Sequence, residues 1–143
     1  MTRGWYLVVV MTLLLFPCMP FSPDEIDPDF ASERDAARSL GLATALVDHT
    51  RVVRGEVDAA VEGVTSAPAT AVYRGWMMRP EQYEAMYAAL EAKGVMLQSN
   101  PIAYRTCHYL PESYPFLEGH TPASVWLPLE ASRAVDRETL AAR

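Results

Sequence analysis

Arg74, Gly75 and Trp76 follow one another directly after the apolar stretch Thr70 to Tyr73. An arginine at a strand end directs a planar fork of N–H donors into the space beyond the strand, which suits bidentate recognition of a carboxylate or phosphate. Gly75 beside it would let a ligand or another backbone approach closely. The alternative for Arg74 is a pairing with a local carboxylate beneath an aromatic cap. A second cluster runs from Asn100 to Glu112 and groups an amide (Asn100), a guanidinium (Arg105), an imidazole (His108) and two phenols (Tyr104 and Tyr109). Its alternative is a capped surface helix with half-buried tyrosines and a merely hydrogen-bonded His108. Cys107 and His108 are chain neighbours, which project about 100° apart on a helix, so they are not a ready-made thiolate pair.

Other chemistries lack their residues. The segment after the first apolar run, PCMPFSPDEIDPD, contains no glycine, so the G-x-G-x-x-G approach to a dinucleotide pyrophosphate is missing. A phosphoacceptor domain needs an aspartate ending its third strand, where this chain has Tyr73-Arg74-Gly75-Trp76. No G-x-S-x-G nucleophile elbow occurs. Cys18 and Cys107 are too few for a disulfide framework and have no zinc-binding spacing. The acidic run Asp24 to Asp29 reads as a solvated loop ending in a helix cap, not as a metal site. With 18 acidic and 12 basic residues the net charge is -6, which excludes a basic nucleic-acid footprint. Lys93 is the sole lysine, so the chain does not carry the lysine-bearing phosphate loop of a complete nucleotide-using enzyme.

The elements that must position these residues follow from patterning. Apolar strand candidates are Thr12 to Pro17, Ala43 to Asp48, Thr70 to Trp76, Val95 to Ser99 and Ser124 to Leu127. Their starts lie about 25 to 31 residues apart, the length of a βαβ step. Between them, Asp27-Pro28 caps and starts a helix that Gly41 stops, and Pro80 to Lys93 forms a second with Tyr83, Met86, Tyr87 and Leu90 on its apolar stripe. Thr50 to Val64 suits a helix that Gly55 interrupts, and Asn100-Pro101 starts a short helix through about Tyr109. The prolines at 111, 115 and 122 leave room for a turn or two around Ser113 to Leu117, Trp126 belongs to the core, and Ala131 to Arg143 is helical by composition. Such alternation predicts an α/β, Rossmann-like three-layer sandwich with a mostly parallel sheet of about five strands.

The chain's 143 residues, half of them hydrophobic, suffice for one core. Trp5 to Pro17 is apolar apart from Thr12, so a signal peptide has to be weighed, with export as a small α/β protein the corresponding reading. The run is short for a bilayer span and is followed by no small-x-small cleavage site. The preferred reading makes residues 1–10 an extension, Met11 the domain start and TLLLFPC a buried first strand, in a reducing, cytoplasmic protein without nucleic-acid or membrane partners.

The stretches MTLLLFPCMPFSPDEIDPDFASERDAARSLG and YRGWMMRPEQYEAMYAALEAKGVMLQSNPIAYRTCHYLPESYPFLEGHTPASVWLP resemble the N-terminal half of ATP-grasp domain proteins of the clade named for its two arginines and lysine. The resemblance implies a pre-ATP-grasp domain over 11–129 and a helical tail over 130–143 leading toward an ATP-grasp domain. That second domain, in cis or in trans, would supply the nucleotide lysine and the Mg²⁺ carboxylates. The implied activity of the whole is an ATP-dependent carboxylate–amine ligase, with this chain a truncated or partial, substrate-side piece that is inactive alone. The resemblance carries Arg74 over as a contact to a small carboxylate or peptide substrate, with Trp76, Asn100, His108 and Tyr109 as companions. ATP and Mg²⁺ are implied for the whole enzyme and no cofactor for this chain. The alternative is a non-catalytic α/β binding or interaction domain. In either case Trp76, Met77 and Met78 are expected on an exposed surface that supports self-association or a partner.

Overall fold

Leu13, Leu15 and Pro17 alternate with Leu14, Phe16 and Cys18 along one strand, so both of its faces are apolar and both must be covered. The computed structural model, which describes residues 11–65 and 68–126, places this strand at the middle of a five-stranded sheet. The strands are β1 (Met11–Met19), β2 (Ser22–Ile26), β3 (Ala43–Val47), β4 (Ala69–Tyr73) and β5 (Val95–Leu97). β1 pairs in parallel with β3 from Leu13↔Ala43 to Pro17↔Val47, and in parallel with β4 from Met11↔Ala69 to Leu15↔Tyr73. β5 adds to β4 in parallel, and β2 folds back antiparallel on the end of β1. The chain therefore leaves β1 for β3 on one side and returns to β4 on the other, a doubly wound order whose switch point lies between β1 and β4.

Helices α1 (Ala31–Ser39), α2 (His49–Arg54), α3 (Val57–Ala60), α4 (Pro80–Ala92) and α5 (Pro101–His108) connect or follow these strands. One sheet face, with Leu15, Val47, Ala71, Val95 and Leu97, packs on Val52 of α2, Ala60 of α3 and Tyr83, Met86 and Leu90 of α4. Each fully buried large side chain there contributes about 1.5–3 kcal/mol. Phe16 and Cys18 are buried on the face that packs against α1, where Ala37 is buried. Asp27 caps a turn of 3-10 helix over Pro28–Phe30 by accepting the Asp29 N–H at 3.0 Å, and α1 continues from it. Gly55, at φ 83°, ends α2 in the left-handed conformation and splits the expected 50–64 helix into two.

Two expectations about the sheet are corrected. The fifth strand is β2, not 124–127: the described part of that stretch, through Trp126, holds no strand. The acidic segment is a strand because Phe21, at φ 66°, makes a tight turn that lays Ser22–Ile26 against β1. Its Pro23, Asp24 and Glu25 face solvent, and an edge strand with proline and charge reads as a loop from composition.

The chain divides into two compact units at Tyr104 and Arg105, within α5. In the second, α6 (Leu110–Leu117) makes about the two turns expected but starts three residues before Ser113. Pro111 sits in its first turn, where a missing N–H costs nothing, while Pro115 lies inside it. Arg105 pairs with Glu112 at 2.9 Å, and Trp126 meets Tyr114 edge to face at 5.3 Å. Trp126, expected in the core, is 44% exposed. The tail from 127 onward and the extension over 1–10 lie outside the described residues.

Candidate functional site

Pro17 decides where the sheet opens. The Arg74 N–H donates to the Leu15 carbonyl at 2.8 Å, extending the β1–β4 ladder one step past Tyr73. In a parallel ladder the following rung would run from the N–H of residue 17 to the Arg74 carbonyl, and proline has no N–H. The Pro17 carbonyl instead accepts the Asp27 N–H at 3.0 Å. β4 thus departs from β1 at Arg74, and the chain after β2 comes in beside it, at the carboxyl ends of the strands and at the topological switch point, where doubly wound sheets open a crevice.

At this place Arg74 and Trp76, which follow β4, meet Asp27, Phe30 and Glu33 from the turn before α1 and its first turn. Arg74 Nε donates to Glu33 Oε1 at 2.6 Å and its Nη2 to Oε2 at 3.3 Å, a fork-to-fork pair with side chains 54% and 42% exposed. The hydrogen bonds to Glu33 and its charge raise the Arg74 pKa further, so the guanidinium is permanently cationic. The indole N–H of Trp76 donates to Asp27 Oδ2 at 2.9 Å, and the Phe30 ring meets the indole edge to face at 5.2 Å. Asp27 thereby serves two partners, the Asp29 N–H through Oδ1 and Trp76 through Oδ2.

Gly75 is needed for a different reason from the one expected. A Cβ there would clash with the hydroxyl end of the Tyr73 phenol, so the close approach is made by the chain's own tyrosine. That ring donates its hydroxyl to the Trp76 carbonyl at 3.2 Å, and burial pushes its phenol well above the ordinary tyrosine range. Met78, expected at the surface with Met77, is buried. Tyr104 accepts the Met78 N–H at 2.9 Å and donates to the Met78 carbonyl at 3.1 Å, while its ring stacks on Tyr83 at 3.8 Å. Met77 remains 64% exposed.

The structure places Arg74 and Trp76 together in the segment that follows β4. Asn100 accepts the Ala103 N–H at 2.8 Å and caps α5. His108 ends that helix and Tyr109 precedes α6, both in the second unit. Sequence reasoning missed Glu33; an acid in the first turn of a helix whose start faces a strand-end arginine was the available signal. It also missed Asp48, buried at the end of β3, which caps α2 through the Arg51 N–H at 3.0 Å. Asp48 lines a cleft of about 240 Å³ with Pro23, Asp24, Leu46, Arg51 and Glu62. Among the described residues no three His, Cys, Asp or Glu side chains gather as a metal-binding group, and no helix is long and apolar enough to cross a membrane.

No protein-family model, no curated protein and no solved structure matches the chain.

Proposed function

We propose that this chain is a substrate-side binding domain that takes a carboxylate on Arg74 at the β1–β4 crevice, and that it serves an ATP-grasp carboxylate–amine ligase whose nucleotide site lies on a separate ATP-grasp domain. The observation that carries the reading is the Arg74 fork, set at the switch point of a doubly wound sheet and already engaging a carboxylate with two nitrogens. That this carboxylate is Glu33 fits the local pairing weighed from sequence. It does not consume the site, because a half-exposed ion pair contributes only about 0–1 kcal/mol and opens at little cost. Trp76, fixed by Asp27 and Phe30, supplies an apolar wall next to the cation. The reading is further supported by Lys93, whose ammonium donates to the carbonyls of Val61, Glu62 and Val64 at 2.7, 3.1 and 2.8 Å and so is occupied in bracing the chain before β4.

Titration with acetate and with succinate, followed by nuclear magnetic resonance of the Arg74 Nε–H and the Trp76 indole N–H, tests the binding step. Saturable shifts that vanish in Arg74→Gln are expected. Shifts that are equal in that variant, or absent in both, sink the assignment of Arg74. The ligase context is tested by adding a separately produced ATP-grasp domain of this clade and measuring carboxylate-dependent ADP formation, which should require this chain.

A further inference from the structure

Three charged groups meet in the crevice, the cation of Arg74 and the carboxylates of Asp27 and Glu33, and their connections differ. Asp27 is committed to the fold, since its two oxygens hold the Asp29 N–H and the Trp76 indole. Glu33 makes no bond of that kind: its two oxygens are the ones that meet Nε and Nη2 of Arg74. Those two nitrogens form the edge of a guanidinium that a ligand carboxylate engages in a fork-to-fork pair.

We propose that Glu33 is a tethered competitor, a carboxylate carried on α1 that fills the Arg74 fork in the free protein and must be exchanged for the ligand's carboxylate on binding. The inference rests on the reading of Arg74 as a carboxylate site. Its physical content is a selectivity rule. With Arg74, Asp27 and Glu33 together, the crevice carries one net negative charge before binding, and a bare monocarboxylate adds a second while freeing Glu33 into water. A ligand has to compensate, either with two carboxyl oxygens placed better than those of Glu33 or with apolar surface against Trp76. Small anions lacking both bind more weakly than they would to the arginine alone.

The exchange is measured by titrating acetate into the full chain and into Glu33→Gln and Asp35→Asn, reading the Arg74 Nε–H and Trp76 indole signals. Asp35 lies two residues along α1 and pairs with Arg34, so its variant removes the same charge without touching the fork. Glu33→Gln is expected to bind acetate about two- to fivefold more tightly than the unaltered chain, the range set by a surface ion pair, and Asp35→Asn to match the unaltered chain. Equal affinity in all three, or weaker binding by Glu33→Gln, overturns the competitor while leaving Arg74 as the site. A gain in Asp35→Asn as large as that in Glu33→Gln also overturns it, since general charge would then be the cause. No saturable shift in any of them, with dispersed spectra that report a folded chain, overturns both the competitor and the carboxylate site.

Discussion

Tyr83 shows how far a single side chain's chemistry can depend on its neighbours. Burial, then the nearby phenols of Tyr104 and Tyr87, push its pKa from 10.0 up to about 12, and its hydroxyl donates to the Ser99 carbonyl at 2.7 Å. The folded state therefore holds this proton more tightly than the unfolded chain does. The resulting stability is complete below pH 10.0 and is lost as pH rises through about 12. Tyr83→Phe should cost about 1 kcal/mol at neutral pH through the lost hydrogen bond, yet show a shallower decline in urea midpoint above pH 10.0 than the unaltered protein. The two thiols should separate as well. Cys18 is buried, and burial followed by the charge of Asp48 raises its pKa, whereas Cys107 is exposed. One thiol per chain should react with a chromogenic disulfide at neutral pH, and Cys107→Ser should abolish that fast phase. At this scale Arg74 and Trp76 were legible because a strand end has a known direction. Glu33 was not, since a helix-surface acid acquires meaning only when the fold brings it across 41 residues to the arginine.

Elements with strong local signals were read correctly and weakly marked ones were not. Pro80 starts α4 and its buried Tyr83, Met86 and Leu90 keep helical spacing, so the stripe alone specified it. Met86→Ala should cost about 2–5 kcal/mol in chemical denaturation, because a fully buried side chain leaves a cavity behind. β2 escaped notice because its signal is the turn at Phe21 and its pairing with β1, and neither depends on the polar residues it displays. The apolar letters of Ser124 to Trp126 suggested a strand, but nothing in a short apolar run states that a partner strand will be found for it. The loop after β4 joins both scales. Gly75→Ala would drive a methyl into the Tyr73 ring, and lowered thermal stability is expected, by about 1–3 kcal/mol, together with displacement of the Trp76 indole signal.

For the whole molecule, the division of labour proposed above has a direct consequence. The isolated chain should give no saturable, Mg²⁺-dependent heat with ATP, since its one lysine already serves three carbonyls; low-micromolar binding by calorimetry would contradict the substrate-side reading. Lys93→Met should leave those carbonyls without the ammonium and lower stability by about 1–3 kcal/mol, which denaturant unfolding would report. The mostly parallel α/β sandwich followed from the alternation of strands and helices, while the side of β1 on which each strand lies did not, because apolar faces do not name their neighbours. Pro17 bears on that last question in a way separate from the crevice. Sliding β4 along β1 by one residue would turn every core side chain outward and is forbidden by hydrophobicity. Sliding it by two residues toward the carboxyl end would keep every face correct, so hydrophobicity is blind to the error. It would also set Pro17 opposite Tyr73 and require from it a hydrogen-bond donor that it lacks. The proline thus disfavours a misalignment that the apolar faces of the central strand do not penalise.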